Sequence, residues 1–242
     1  MKKFILTLIV TMLPAVVLAA GGGVPLKSAD IDIDDKASLQ RGAKVFSDYC
    51  LSCHSAKFVR FNRVAEDLGL TEEQVMGSLN NLGAKFGGTM QATMTKSYAK
   101  AAFGAAPPDL SLVARSRGSD WLYTYLTGFY ADPNRPMGFN NVVFKDVGMP
   151  NVFWRVQGSQ QPKFEKDEKG HNVLVDLEPA TGGTMSNEEF DTMARDLVAF
   201  LDYIGEPRKS ERQTLGIWVL VFLSILALLA YAMKKEYWKD IH

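Results

Sequence analysis

From Leu215 to Met233 the chain runs for 19 residues without one charged side chain. At about 1.5 Å per helical residue, such a run crosses a hydrocarbon layer of about 30 Å. Core helices of soluble proteins are rarely apolar on every side over that length, so a transmembrane helix is expected over 215–233. Arg208, Lys209 and Arg212 precede it and Lys234, Lys235 and Lys239 follow it, so the basic flanks balance and set no direction. The other end of the chain sets it. Lys2 and Lys3, an apolar stretch from Phe4 to Leu18, and Ala19-Ala20 ahead of three glycines have the plan of a signal peptide over 1–20, cleaved near Ala19 or Ala20. The competing reading is a retained anchor. An exported N-terminus followed by one stop-transfer helix leaves a periplasmic domain over 21–207 and a linker over 208–214. The tail, 234–242, then lies on the cytoplasmic side of the inner membrane, which the chain crosses once.

The globular part has its own helical signals. Asp35 is placed to cap a helix whose Leu39, Ala43, Phe46 and Cys50 share one face. Thr71 with Gln74 reads as a capping box, which predicts a second helix from Glu72 to about Leu82. Residues 83–118 mix glycines, Pro107-Pro108 and short helical stretches. Ser119 then opens an aromatic-rich helix that Gly128 and Pro133 help to end. From Ala131 to Thr184 the composition predicts a long, mostly irregular loop region, with short β-like runs at 141–144 and 173–177. Ser186 with Glu189 forms another capping box, and Phe190, Met193, Ala194, Leu197, Val198, Leu201 and Ile204 line one face of the helix it opens. The fold class expected is mostly α, with long irregular loops and a single C-terminal transmembrane helix.

The 27 basic and 27 acidic side chains exclude a strongly basic nucleic-acid binder, and two cysteines exclude a disulfide-built scaffold. Both cysteines fall in C-L-S-C-H, residues 50–54. That spacing presents two thiols to the two vinyl groups of a haem, while the next residue turns an imidazole toward the iron. The reading is one covalently bound haem c, held through Cys50 and Cys53, with His54 as the proximal ligand. Three alternatives compete. A structural zinc site wants four ligands, and beyond His54 the histidines are His171 and His242. A thioredoxin-like pair wants a βαβ setting, and a plain disulfide gives His54 no purpose.

The sixth position of the iron separates an electron carrier from a haem enzyme or gas sensor with an open site. Methionine opposite histidine raises the potential and closes the site. Met76 and Met193 fall on helical faces and read as core filler, while Met90, Met94 and Met185 sit in polar surroundings. Met137 and Met149 lie in the Gly/Pro-rich region and remain the candidates, with His171 less favoured. Local physics prefers Met149, because Pro150 biases it to an extended backbone and Gly148 allows close approach. Arg115 and Arg117, after P-P-D-L-S, are candidates to meet the haem propionates. The acidic residues Asp30, Asp32, Asp34 and Asp35 read as a solvated run.

Longer motifs carry a resemblance. They are R-G-A-K-V-F-S-D-Y-C-L-S-C-H (41–54), G-L-T-E-E-Q-V (69–75), A-P-P-D-L-S (106–111) with A-R-S-R-G (114–118), W-L-Y-T-Y-L-T-G-F-Y (121–130) and V-G-M-P (147–150). T-M-S (184–186) then opens a helix into a single anchor followed by K-K. The C-x-x-C-H identifies no family by itself. The order of the others resembles cytochrome c1, the haem subunit of the bacterial quinol:cytochrome c reductase (cytochrome bc1) complex, over nearly the whole mature chain. The resemblance implies Met149 as distal ligand, so that His54 and Met149 hold the metal, and Arg117 as a propionate contact. Many relatives carry G-M-A-P-P where this chain reads G-M-P-N-V (148–152), a departure that bears on the loop path more than on the ligand. The resemblance also implies cytochrome b, a Rieske iron-sulfur protein as donor, a cytochrome c acceptor and a dimeric complex. No substrate chemistry is expected on this chain alone. The rival reading is a membrane-anchored monohaem cytochrome of another respiratory complex.

Overall fold

The computed structural model describes residues 25–240; the signal peptide expected over 1–20 and His242 lie outside the described residues. Asp35 caps helix α1 (Lys36–Val45), its carboxylate accepting the N–H groups of Ala37 and Ser38 at 3.0 and 3.2 Å. The helix then widens into a π-helical turn, Phe46–Cys50, and the N–H of Leu51 bonds the Phe46 carbonyl at 2.9 Å. The extra residue in that turn swings Cys50 and its C-terminal neighbours around the helix axis. Strand β1 (Ala56–Arg60) comes next, then α2 (Phe61–Leu68) and α3 (Glu72–Ser78). The capping box of Thr71 and Gln74 is present at the start of α3. That helix stops four residues before the expected Leu82. Asn80 accounts for it: its side chain accepts the N–H of Ala84 at 2.9 Å and donates to the same residue's carbonyl at 2.6 Å, closing the chain into a turn.

Strand β2 (Thr89–Met90) pairs antiparallel with β1, Met90 facing Ala56. Met90 is fully buried there, so the polar neighbours in its sequence misrepresent its surroundings. Helices α4 (Lys96–Phe103) and α5 (Val113–Arg117) come after it. Gly118, with a φ of +88°, breaks the chain so that α6 (Ser119–Thr127) can start at once in a new direction.

The region 131–184 is more ordered than its composition suggests. Strand β3 (Phe129–Ala131) pairs with β4 (Phe139–Asn141), and a short helix α7 (Trp154–Gln157) leads into β5 (Gly158–Ser159). Strands β6 (Pro162–Lys166) and β7 (Asn172–Leu177) then form an antiparallel ribbon, and β8 (Thr181–Gly182) returns to β5. The expected run at 173–177 lies in β7, while the one at 141–144 keeps only its first residue in a strand. Around the ribbon tip, β6 is dominated by Lys and Glu rather than by alternating apolar residues, which hid it.

Helix α8 (Asn187–Gly205), opened by the Ser186 and Glu189 capping box, is the spine of the domain. Ala194, Leu197, Val198, Ala199, Phe200 and Leu201 on it are almost wholly buried. It crosses α1 where Gly42 lies: a Cβ there would run into the Asp196 carbonyl oxygen. Around the crossing, Phe46 packs on Phe200 with centroids 5.6 Å apart, and Phe153 bridges Tyr49 and Phe190 at 5.1 and 5.6 Å. The last helix, α9 (Lys209–Tyr237), contains the apolar run 215–233 and extends it at both ends, so residues 209–214 are helical as well. None of its residues is buried against the domain. The fold is mostly α, with the strands in small two-stranded pairs.

Candidate functional site

The C-L-S-C-H segment closes tightly after the π turn. The N–H groups of Cys53 and His54 both bond the Cys50 carbonyl, at 3.0 and 2.8 Å. Cys50 is buried and Cys53 half-buried, and neither is in a disulfide. Burial, with the neighbouring Cys53 adding to it, pushes the Cys50 thiol up to about 12, so it stays protonated.

Next, the P-P-D-L-S segment runs alongside residues 54–58. The Leu110 N–H bonds the Ser55 carbonyl at 2.7 Å, the Lys57 N–H bonds Asp109 Oδ2 at 3.1 Å, and the Phe58 N–H bonds Ser111 Oγ at 3.1 Å. This lacing brings the Pro108 carbonyl to 2.8 Å from His54 Nδ1. A carbonyl only accepts, so Nδ1 carries the proton and Nε2 keeps its lone pair for a metal. Desolvation lowers the pKa of His54, against the opposing pull of Pro108 and Asp109, so the ring is held neutral. Pro107 and Pro108 lack N–H groups and are stiff, which suits a segment whose role here is to offer a carbonyl.

The arginine candidates part company. Arg115 lies along Gly205, whose added Cβ would meet the Arg115 Cγ at 3.3 Å. Arg117 instead sits over the Trp121 ring, 5.0 Å from its centroid. Trp121 stacks on Tyr125 at 5.1 Å with 12° between planes, and Tyr125 meets Phe129 edge-on at 5.2 Å. Trp121 and Tyr125 share one side of α6 at a spacing of four, and their contacts continue that row to Arg117 at the end of α5 and to Phe129 at the start of β3. The hydroxyl of Tyr125 donates to Met149 Sδ at 3.4 Å. Burial pushes that hydroxyl's pKa up to about 12, so it is a donor at neutral pH.

Met149 sits between two buried asparagines that moor its loop. Asn141 donates to the Tyr125 carbonyl at 2.8 Å. Asn151 donates to Gln157 Oε1 at 3.1 Å, and Gln157 in turn donates to the Thr127 carbonyl at 3.2 Å. The close neighbour of Gly148 is the Phe103 carbonyl, 3.1 Å from where its Cβ would be. Met137 is exposed at the turn between β3 and β4, and His171 is exposed at the ribbon tip beside Asp167, 3.2 Å away. Sequence reasoning singled out neither Tyr125 nor Asn141 and Asn151. The spacing of Trp121, Tyr125 and Phe129 was a readable signal; the two asparagines gave none.

These parts suit a haem of the c type. Two free thiols stand on adjacent turns beside an imidazole with a fixed tautomer, and a thioether lies in a moored loop. Among the described residues no group of three or more His, Cys, Asp or Glu is gathered to hold a metal ion instead. A mostly helical domain with such donors, carried on one exposed apolar helix, defines the class of membrane-anchored c-type cytochromes. More narrowly, the chain belongs to the Cytochrome C1 family, whose model matches residues 31–241. It is 47% identical over 244 residues to "Cytochrome c1" of Allochromatium vinosum, covering all of both chains. It is also 47% identical over 242 residues to "Ammonia monooxygenase gamma subunit" of Nitrosomonas europaea, covering 100% of this chain and 99% of that one. "Cytochrome c1" of Rhodospirillum rubrum is 30% identical over 235 residues, covering 86% of this chain and 83% of its own.

Proposed function

We propose that this chain is the haem-bearing electron carrier of a quinol:cytochrome c reductase, taking single electrons from a Rieske iron-sulfur protein and passing them to a cytochrome c. The observation that carries the reading is His54 Nδ1 pinned to the Pro108 carbonyl at 2.8 Å directly after the C-x-x-C, since it leaves Nε2 free in the one segment able to tether a haem. Haem bound there supplies one-electron iron chemistry, and this chain's residues tether it, ligate it and shield it. Cys50 and Cys53 form the thioether links, and His54 ligates the iron through Nε2. Met149 would supply the second iron ligand, a thioether that would close the iron to oxygen and leave electron transfer as the chain's task. Arg117, fixed by Trp121 on the face that continues to Tyr125, is the residue assigned to a propionate.

The family membership supports cytochrome b and the Rieske protein as neighbours, and a dimeric complex is part of the same proposal. The domain 21–207 is assigned to the periplasmic side, with the signal over 1–20 removed and the tail 234–242 in the cytoplasm. A monohaem cytochrome of another membrane complex draws support only from the name of the Nitrosomonas relative.

Isolation of the whole chain in mild detergent tests the assignment. A pyridine haemochrome spectrum of the c type, haem that stays on the denatured chain, and co-purification with cytochrome b and a Rieske protein are expected. Co-purification with a different set of subunits would transfer the chain to the rival complex. A carbon monoxide-sensitive, high-spin reduced spectrum would replace the carrier by a haem with an open sixth site. Met149→Ala should abolish the far-red methionine-to-iron band of the oxidised protein.

A further inference from the structure

Among the described residues the hydroxyl of Tyr125 has one hydrogen-bond partner, the Met149 sulfur at 3.4 Å. Its ring is not free to look elsewhere. Trp121 covers one face at 5.1 Å, the Phe129 ring stands edge-on at 5.2 Å, and Asn141 grips the Tyr125 backbone carbonyl at 2.8 Å. Tyrosines packed into a domain ordinarily find a partner for the O–H, and the half-buried Tyr125 finds, among the described residues, a thioether, a weak acceptor. The loop on the sulfur side is equally constrained through Asn151 and Gln157.

We propose that Tyr125 is a positioning residue which, by donating to Met149 Sδ, holds the thioether toward the iron and raises the iron's reduction potential. This rests on the reading of Met149 as the distal ligand. A thioether sulfur carries two lone pairs. With one directed at a metal, the second is available to the Tyr125 hydroxyl, so ligation and the hydrogen bond are compatible. Donation to the second pair draws electron density from sulfur and makes it a poorer donor to iron. The ferric state, which depends more on that donation, loses more than the ferrous state, and the balance moves toward ferrous iron. The hydrogen bond also adds a restraint on sulfur direction that a flexible methionine lacks by itself.

Redox titration of the intact, detergent-solubilised complex carrying Tyr125→Phe tests this. Phenylalanine keeps the ring, its stack on Trp121 and its contact with Phe129, and removes only the donor. At fixed ambient potential the ferrous-to-ferric ratio is expected to fall by about threefold to tenfold, a midpoint shift of ~28 to ~59 mV downward for a one-electron couple. Loss of the far-red band from this variant, with haem content unchanged, also supports the holding role, since nothing but the hydroxyl is gone. A midpoint that is unchanged or higher, with the band retained, overturns the inference. Met149→Ala separates the two layers of the argument. If the band survives Met149→Ala, the ligand reading falls and takes this one with it. If the band is lost there while Tyr125→Phe leaves the midpoint in place, only the role of Tyr125 falls.

Discussion

A histidine proposed as a ligand is dependable when its other nitrogen has a fixed partner, and for His54 Nδ1 that partner is the Pro108 backbone carbonyl rather than a carboxylate. A carbonyl is only as fixed as its turn, and Asp109 builds that turn: its carboxylate accepts the N–H groups of Ser111 at 2.9 Å and Lys57 at 3.1 Å. Burial works to raise the Asp109 pKa, but the hydrogen bonds from Ser111 and Lys57 outweigh it and hold the carboxyl below its ordinary value of 3.8. Because the folded pKa is depressed, the stabilisation is complete above that ordinary value and is lost as pH falls through the lower folded one. Thermal melts should therefore show the intact protein losing stability by more than Asp109→Asn does as pH falls below that ordinary value, while at pH 7 the variant is less stable by about 1 kcal/mol. Parallel losses in the two proteins would deny Asp109 that role. The cysteines, His54 and the proline pair beside it were legible as candidates because such residues announce their constraints in sequence, and the fold gathers them at one place. Tyr125, Asn141 and Asn151 were not, since their work depends on which backbone carbonyl or sulfur the fold brings within reach.

At the scale of elements, the packing of α1 on α8 fixes where the C-L-S-C-H segment begins. The crossing is close because Gly42 has no side chain, and it is latched by Asp196, which accepts Arg41 Nε and Nη2 at 2.6 and 2.9 Å and Ser38 Oγ at 2.6 Å. Gly42→Ala puts a carbon against the Asp196 backbone, which cannot yield as a flexible side chain would, so destabilisation of about 1 to 3 kcal/mol or more is expected in thermal or urea unfolding. Ser186→Ala removes only the cap of α8 and should cost about 1 kcal/mol. If the two variants melt together, the helices are free to shift apart and the crossing is not what positions the site. Both capping boxes and the buried face of α8 were legible, because each is a local rule acting over four to eight residues. The β6–β7 ribbon was not. Its residues are mostly exposed on both faces, so no alternation marks it, and its pairing comes from backbone register that composition does not encode.

For the molecule as a whole, the question is how a domain is oriented by a membrane helix none of whose own residues is buried and whose contacts with the domain are confined to its first turns. Helix α9 has 29 residues, or roughly 44 Å at about 1.5 Å each, close to the full bilayer with its headgroups. Its first turns sit outside the apolar run, and there the polar contacts gather. Lys209 Nζ meets Asp202 Oδ2 at 2.7 Å, the Ser210 hydroxyl donates to the Asp34 carboxylate at 2.9 Å, and Arg212 pairs with Glu206. Asp202 is the consequential member, since its side chain is only 10% exposed and losing Lys209 strands a shielded charge. Chains ended after Gln213 and after Arg208 should both be released from membranes, as each lacks the apolar run. The longer one keeps the latch and should be more stable by about 1 to 2 kcal/mol through the Lys209–Asp202 pair. The hydrogen bond from Arg212, with its charge, holds the Glu206 carboxyl below its ordinary 4.5, so its share is present above that value and fades as pH falls through the lower folded one. The gap between the two chains should thus narrow in acid. Equal melting at pH 7 would mean that the latch contributes nothing, and that only the membrane and neighbouring subunits orient the domain.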